Sequence, residues 1–301
     1  MTLTIVTPSF ANDFRNFARL HDSVRRLTDP SVEHIAIVPE ADLELFRSIR
    51  SDHLDIRSER WVLPRRFVPT TALARIPKLP RGFRVAAVNA RHPFPPIRGW
   101  ILQQIVKLAL TSELDTDVAL LVDSDVLLIR PVEEKHFVGP TGAVRLYRMP
   151  HGIDASRPRP QRWLEVARQK LGIPGAEPDE PDYISSFTSW DPRIVRACVD
   201  RVSEVAGRDW RDVMGACLDF SEFLLYGSYV MSLAPEIARS NVGATSLCHS
   251  HWDPVPLNAE LVDRFVESIS PHDLAVHIQS NSNTHEDVLD AVAQRFSART
   301  P

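Results

Sequence analysis

The chain has 301 residues, a formal net charge of −4, and ordinary fractions of hydrophobic (44%) and charged (25%) residues. This composition is typical of a globular protein with one large α/β domain or two small ones, and its charge predicts no general attraction to nucleic acid. No apolar run approaches the roughly 20 residues of a membrane span, and no signal peptide is evident. We therefore expect no transmembrane segment and a cytoplasmic location, either free or peripheral at the inner face of the membrane.

The three cysteines, Cys198, Cys217 and Cys248, are odd in number and widely spaced. This spacing indicates reduced thiols rather than a disulfide framework or a zinc site.

The chain opens with alternating strand-like and helix-like segments. A β-branched run predicts a strand over residues 2–7, and apolar residues at helical spacing predict a helix up to Leu27. A second strand is predicted over residues 33–39 and a second helix over 41–49. This order predicts a parallel sheet covered by helices.

Residues 57–98 form a basic, proline-rich stretch in which ten Lys or Arg residues stand against one acid, Glu59. The prolines predict loops with only short regular structure. The stretch is either a solvated basic surface or a surface that binds phosphates of a ligand or an anionic acceptor. Its basic residues are Arg57, Arg60, Arg65, Arg66, Arg75, Lys78, Arg81, Arg84, Arg91 and Arg98.

The most informative segment of the sequence is an apolar run, residues 118–122, that leads directly into Asp123, Ser124 and Asp125. A short continuous apolar run is typical of a strand buried on both faces, and ligands of open α/β sheets bind at the carboxyl edge of such strands. Two carboxylates there suit Mg²⁺ or Mn²⁺, which would in turn hold a diphosphate. An ordinary Asp-Ser-Asp turn is the alternative. The preceding segment, 99–110, is predicted to be a helix with Gln103 and Lys107 on one face.

The second half is predicted to contain a strand at 142–147, then an insertion at 150–182 on the acceptor side that includes a helix near 162–171. A strand follows over 182–191, and a helix begins at Pro192.

A later helix carries Glu222 in the segment 219–229. Asp219 and Glu222 have the spacing of a capping box. Alternatively, Glu222, Tyr226 and Tyr229 share one helix face, where a carboxylate and two hydroxyls would bind a polyol.

Near the end, His277 interrupts a short apolar strand over 274–281, and a helix is predicted over 285–296. A single histidine in such a strand is more often a core residue than a ligand. His249 and His251 form a second, weaker cluster with no accompanying Cys-x-x-Cys pair.

Together these features resemble a glycosyltransferase of the GT-A type. The resemblance rests on the strand ending in Thr7, Pro8 and Ser9, the Asp123-Ser-Asp125 motif, the Gly-Trp-x-Leu-Gln-Gln-x-x-Lys-Leu and Ser-Glu-x-x-x-Tyr-Gly segments, and the late His277. It is similar in particular to a poorly characterised bacterial group with the Asp-x-Asp motif. It implies one GT-A-like, Rossmann-type α/β domain over residues 1–301, with a mostly parallel central sheet flanked by helices.

The resemblance also implies roles for individual residues. A Mn²⁺ or Mg²⁺ ion would be held by Asp123, Asp125 and His277, with His249 or His251 as competitors for the third position. The acceptor hydroxyl would face the catalytic carboxylate, Glu222 or Asp191. The nucleotide-sugar donor, a UDP- or GDP-sugar, would be bound by Thr7, Pro8, Ser9, Gln103, Lys107, Asp123 and Ser124.

The implied reaction moves a sugar from a nucleotide diphosphate to a glycan or small hydroxyl acceptor. An inverting enzyme needs a base, whereas a retaining one would use Glu222 only to orient the acceptor. The residues leave this open, and His277-Ile-Gln-Ser-Asn281 lacks the phosphate-binding Lys of the well-known retaining families. Two alternatives are a phosphohydrolase of the haloacid-dehalogenase type, with Asp123 as nucleophile, and a non-catalytic sugar- or polyanion-binding module.

Overall fold

The computed structural model describes residues 1–70, 85–177 and 179–297, and a five-stranded sheet lies at its centre. Most strands are short, as β-branched and apolar runs between turn residues predict. The strands are β1 (Leu3–Pro8), β2 (Glu33–Val38), β3 (Leu54–Ser58), β4 (Phe67–Pro69), β5 (Val85–Asn89), β6 (His92–Arg98), β7 (Val118–Val122), β8 (Val126–Leu128), β9 (Leu146–Tyr147), β10 (Met149–Ile153), β11 (Glu180–Asp182), β12 (Phe187–Trp190), β13 (Val242–Gly243), β14 (Cys248–His251) and β15 (Ala275–Ile278).

The helices alternate with these strands in the first half of the chain and dominate the second half. Two of them begin with proline, and two end at a left-handed glycine, Gly172 and Gly207. The helices are α1 (Phe14–Leu27), α2 (Leu43–Phe46), α3 (Gly99–Glu113), α4 (Pro158–Leu171), α5 (Pro192–Ala206), α6 (Trp210–Gly215), α7 (Glu222–Ser232), α8 (Ala259–Glu267) and α9 (Glu286–Ser297). Within the described ranges, no helix combines the length and the apolar character needed to cross a bilayer.

The central sheet has the strand order β12-β7-β1-β2-β3. Its pairs β7–β1, β1–β2 and β2–β3 are parallel, and only the edge strand β12 runs antiparallel, against β7. This confirms the predicted α/β class with a mostly parallel sheet between helices.

Both faces of the sheet are buried, which explains why β7 is a continuous apolar run. Leu120 and Val122 pack with residues of α1 on one face, whereas Leu121 packs with residues of α3 and α5 on the other. Successive side chains of a strand point to opposite faces, so an unbroken apolar sequence fills both cores. Burial of each such side chain stabilises the fold by roughly 1.5–3 kcal/mol.

A second, three-stranded sheet brings the end of the chain beside the Asp123–Asp125 segment. Its order is β14-β15-β8, and β15 runs antiparallel to β8, with His277 opposite Val126. A strand from the last tenth of the sequence therefore lies directly next to Asp125.

The described part of the basic stretch contains more regular structure than predicted. Strands β4, β5 and β6 form an antiparallel sheet. Arg57 pairs with Asp55, and Arg66 pairs with Asp209 and Asp212, so these two arginines are engaged by the protein's own carboxylates. Four further basic residues of the stretch lie outside the described residues: Arg75, Lys78, Arg81 and Arg84.

Two predicted elements are shorter in the structure. The helix predicted over 41–49 is a 3-10 turn followed by only Leu43–Phe46, and the strand predicted over 142–147 is only Leu146–Tyr147. In the segment 150–182, α4 contributes Leu164, Ala167 and Leu171 to the same hydrophobic core as the central sheet. The described part of this segment thus has no separate core of its own.

Candidate active site

A cleft with a volume of about 550 Å³ opens at the carboxyl ends of β1 and β7. Its walls come from the loop after β1, from α3, from the N-terminal end of α7 and from the loop after β15. This is the sheet edge at which α/β proteins bind ligands. The lining includes Pro8, Phe10, Asn12, Asp13, Trp100, Gln103, Gln104, Lys107, Asp123, Ser124, Asp125, Trp163, Ile184, Ser186, Ser221, Glu222, Phe223, Trp252, His277, Gln279, Ser280 and Asn281.

Lys107 lies between two carboxylates at the base of the cleft. Its Nζ atom is 2.9 Å from Asp123 Oδ1 and 3.1 Å from Glu222 Oε1. The side chains of Lys107 and Glu222 are only 6% and 4% exposed, whereas that of Asp123 is 32% exposed. One buried cation therefore pairs with both a buried carboxylate and a carboxylate that faces the cleft.

The protonation behaviour of this group follows from burial and charge. Burial alone lowers the pKa of Lys107, but attraction to Asp123 and Glu222 outweighs it, so the pKa is raised and the ammonium form is held. Burial raises the pKa of Glu222, and attraction to Lys107 offsets part of that increase.

Asp125 belongs to a second group, formed with the β15 strand. Its Oδ1 atom lies 3.4 Å from His277 Nε2, and its Oδ2 atom accepts a hydrogen bond from the Ser280 N–H at 2.9 Å. Burial raises the pKa of Asp125, but the contacts with His277 and Ser280 outweigh it and lower the pKa of this carboxyl. The ring of Trp252 packs on His277, with ring centroids 4.4 Å apart.

The other two histidines are not part of this group. His249 Nε2 forms a hydrogen bond with Ser268 Oγ, and His251 Nε2 with the Val255 carbonyl oxygen. Of the three histidines considered from the sequence, the structure brings His277 to Asp125.

Asp13 is a carboxylate of the cleft that sequence reasoning missed. It follows β1 at the start of α1, forms no helix-capping hydrogen bond, and interacts with Ser124 instead. Burial, followed by repulsion from Asp125 and Asp123, raises its pKa to about 6. The signal available in the sequence was an acid a few residues after the first strand, at the sheet edge that also carries Asp123.

Ser186 was also missed. It lines the cleft, its carbonyl oxygen accepts a hydrogen bond from the Asp123 N–H at 3.0 Å, and its side chain is buried. Among the described residues its Oγ atom has no hydrogen-bond partner. A buried hydroxyl without a partner is costly, so this atom is available to a polar ligand.

Residues at the end of β1 divide between the core and the cleft. Pro8 lines the cleft. Thr7 is buried, and its Oγ1 atom is 3.0 Å from His34 Nε2. Ser9 is buried as well, and among the described residues its Oγ atom has no partner. The Thr7 side chain thus packs in the core, against His34.

Gln103 and Ser124 line the cleft as predicted, and Gln104 connects two of its walls. Gln104 Oε1 accepts a hydrogen bond from the Glu222 N–H at 2.9 Å, and Gln104 Nε2 donates to the Trp100 carbonyl oxygen at 3.3 Å. The N-cap of α7 is Ser221 rather than Asp219, so the capping-box interpretation of Glu222 is wrong.

The structure does not bring Asp191 to the cleft. Because β12 runs antiparallel to β7, Asp191 lies at the opposite edge of the sheet, where it caps α5 and pairs with Arg193. Tyr226 Oη accepts a hydrogen bond from the Asp191 N–H, and its ring stacks on Trp190. Tyr226 and Tyr229 are buried. The proposed face of Glu222, Tyr226 and Tyr229 therefore does not form a polyol site.

Comparisons with known proteins identify the family of the chain. Residues 1–261 match the family of unknown function DUF6492. The chain belongs to this family. No curated protein gives a significant sequence match to this DUF6492 protein.

Solved structures that align with the DUF6492 chain include the galactosyltransferase LgtC in complex with donor and acceptor sugar analogues. The identity is 16% and the TM-score 0.46, over 98% of this chain and 94% of that one. An active-site mutant of LgtC aligns at 17% identity and a TM-score of 0.44, over 98% and 94%. The bifunctional glycosyltransferase WbbM, in its apo form, aligns at 11% identity and a TM-score of 0.45, over 92% and 45%.

Proposed function

We propose that this DUF6492 protein is a metal-dependent glycosyltransferase that moves a sugar from a nucleotide-diphosphate donor to a hydroxyl group of an acceptor. One observation carries the proposal: Lys107 bridges Asp123 and Glu222 in the same cleft that holds the Asp125–His277 pair. The two groups separate two tasks that sugar transfer requires, namely binding a diphosphate through a cation and activating an acceptor hydroxyl.

The Asp125 side of the cleft fits a divalent cation. Within the described residues, no three His, Cys, Asp or Glu side chains are already arranged around one metal position. Asp125 Oδ1 and His277 Nε2 are nevertheless 3.4 Å apart, near the separation of about 3 Å expected for adjacent ligands on an ion with bonds of about 2.0–2.1 Å. Asp123, on the same loop, would be the third ligand. When bound, Mn²⁺ or Mg²⁺ would stabilise charge on the leaving diphosphate.

Asp13 adds a third carboxylate to this part of the cleft, since repulsion from Asp125 and Asp123 contributes to its raised pKa. Carboxylates that repel one another favour a cationic ligand, because the ligand relieves the repulsion.

Glu222 is the proposed base or acceptor-orienting residue. It is buried, its pKa is raised, and it lines the cleft at the N-terminal end of α7. A carboxylate with a raised pKa accepts a proton more readily near neutral pH. Lys107 holds Glu222 in position and supplies positive charge near a bound diphosphate. An inverting reaction would use Glu222 as the base, and a retaining reaction would use it to orient the acceptor.

The donor is proposed to be a UDP- or GDP-sugar. Its nucleotide would enter along the loop after β1, where Pro8, Phe10 and Asn12 line the cleft beside Asp13. Gln103, Ser124 and the Ser186 hydroxyl, which has no partner among the described residues, offer hydrogen bonds to the ribose or sugar.

Calorimetric titration of UDP and GDP, with and without Mn²⁺, tests this function. We expect micromolar binding of one nucleotide that needs Mn²⁺ and is lost in Asp125→Ala. Asp115→Ala is the matched control, because Asp115 is exposed and precedes the amino end of β7. If neither nucleotide binds under any metal condition, the diphosphate site is wrong.

Assays of phosphate release and of polyanion binding separate the alternatives. A phosphohydrolase would release phosphate through a covalent aspartyl intermediate at Asp123. A polyanion-binding module would bind in a salt-sensitive manner that Asp125→Ala leaves unchanged.

A further inference from the structure

Two tryptophans form an aromatic wall of the cleft. Trp100 lies at the start of α3 and Trp163 in α4, and their ring centroids are 5.1 Å apart at an interplanar angle of 32°. The guanidinium carbon of Arg159 lies 5.0 Å from the Trp100 ring and 4.8 Å from the Trp163 ring. Trp100 is 37% exposed although it is a large aromatic residue, so the pair offers aromatic surface to a ligand.

Hydrogen bonds hold the two tryptophans to the segment that carries Glu222. Trp163 Nε1–H donates to Asp219 Oδ1 at 2.6 Å, and Arg159 Nη2 lies 3.5 Å from the same oxygen. Asp219 precedes Ser221, the N-cap of α7. On the other side, Gln104 joins the Trp100 carbonyl to the Glu222 N–H. The Trp163 ring is therefore held to the segment before α7 by its own hydrogen bond, and Trp100 is connected to Glu222 through its backbone and packs against Trp163.

The aromatic pair and the candidate cation site belong to different walls. Trp100, Trp163 and Glu222 are carried by α3, α4 and α7, whereas Asp125 and His277 are carried by the loop before β8 and by β15. A donor held through its diphosphate on the second wall leaves the first wall to the other substrate.

We propose that Trp100 and Trp163 bind the acceptor, and that this acceptor is a saccharide. The inference rests on the proposed transferase function and names the class of its second substrate. A pyranose ring has an apolar C–H face, which packs on an aromatic ring, and a rim of hydroxyls, which need polar partners. The cleft supplies both, with two tryptophans and the carboxylate of Glu222 among its lining residues. A lipid chain would instead require a continuous apolar groove.

The test measures saccharide and nucleotide binding in the same variants. The full chain, with UDP, GDP and Mn²⁺ present, is applied to an array of immobilised neutral and acidic oligosaccharides, and UDP and GDP are titrated separately. We expect Trp100→Ala and Trp163→Ala to reduce saccharide binding at least tenfold while nucleotide affinity stays within twofold. Trp163→Phe keeps a ring without the bond to Asp219, so we expect it to retain saccharide binding within about threefold.

Trp61→Ala is the matched control. Trp61 is 54% exposed and also pairs with an arginine, Arg57, whose guanidinium carbon lies 4.6 Å from the ring, but it lies next to β3, away from the cleft. Its saccharide and nucleotide binding should equal those of the wild type.

Three results would overturn the inference. The first is a wild type that binds no saccharide although it binds a nucleotide. The second is saccharide binding that both alanine variants retain. The third is a loss of nucleotide affinity in those variants, which would make the rings a nucleobase site. A wild type that binds neither UDP nor GDP counts instead against the transferase function, whatever the array shows.

Discussion

Lys107 Nζ lies 3.1 Å from Glu222 Oε1, and both side chains are almost completely buried. The candidate base of the protein is therefore half of a buried ion pair, and Lys107 is shared with Asp123 at the surface of the cleft. Pairs of this kind contribute little when intact but are costly when one partner is removed, because the other charge stays buried.

Replacement of Lys107 by methionine should destabilise the protein strongly. The change leaves Glu222 buried without its cation, and we expect the free energy of unfolding to fall by about 3–5 kcal/mol, measured by urea denaturation at pH 7. Nucleotide binding should weaken as well, since the cleft loses a positive charge near the bound diphosphate.

The double variant Lys107→Met, Glu222→Gln is the control for this prediction. Because it removes both charges of the buried pair, it should recover much of the lost stability. Equal stability of the single and double variants would mean that the unpaired Glu222 charge is not the cause.

Replacement of Asp13 by asparagine should stabilise the metal-free protein. The pKa of Asp13 is raised from 3.8 to about 6 in the folded state, so its ionised form is unfavourable there. Between these values the folded state binds more protons than the unfolded state, and stability is lost as the pH rises through this window. Because Asp13 is partly exposed, we expect a gain of about 1–2 kcal/mol at pH 7 to 8 in Asp13→Asn, and none below about pH 4.

The same variant should bind Mn²⁺ more weakly, because one carboxylate of the cleft is gone. Thermal unfolding at pH 4 and pH 8, with and without Mn²⁺, measures both effects. If Asp13→Asn stabilises the protein equally at both pH values, the stabilisation does not come from removal of the Asp13 charge.

Acid should destabilise the protein through two buried histidines, His21 and His34. Their Nδ1 atoms are 3.0 Å apart, and burial lowers the pKa of His21 to about 4 and that of His34 to about 3. Unfolded histidines bind protons near pH 6.5, so below that value the unfolded state holds more protons and stability falls as the pH falls. Between pH 7 and pH 5, the free energy of unfolding should fall by an amount of the order of 2 kcal/mol for each histidine.

Urea denaturation across this pH range measures how the free energy of unfolding depends on pH. The variant His21→Leu should show a flatter dependence, and His272→Gln, at an exposed histidine, should match the wild type. If the unfolding free energy of His21→Leu depends on pH as strongly as that of the wild type, His21 is not a source of the acid sensitivity.

Glycine is required at position 227 for a packing reason. A Cβ atom there would overlap the ring of Tyr183, which packs directly against the α7 backbone. Gly227→Ala should therefore reduce the free energy of unfolding by about 1–3 kcal/mol or more. Gly175→Ala, where the new Cβ would meet no atom within 4 Å, should be neutral in the same denaturation experiment. An unaffected Gly227→Ala would show that Tyr183 moves aside without cost.

The sequence by itself determined the fold class and the position of the Asp123–Asp125 segment. Continuous apolar strands alternating with amphipathic helices specify a buried parallel sheet, because both patterns are local in the chain. The carboxylates follow such a strand directly, so their place at the sheet edge comes with the strand. Local helix signals likewise placed most of α1, α3 and α5.

Only the tertiary structure decided which side chains meet. Asp191 lies at the far edge because β12 runs antiparallel, and the direction of an edge strand is set by its packing rather than by its residues. Tyr226 points into the core and Glu222 to Lys107 because the rotation of α7 is fixed by its neighbours. Asp13, Ser186 and Lys107 come from three distant segments. Long-range contacts of this kind have no local pattern, and the folded chain alone brings these groups into one cleft.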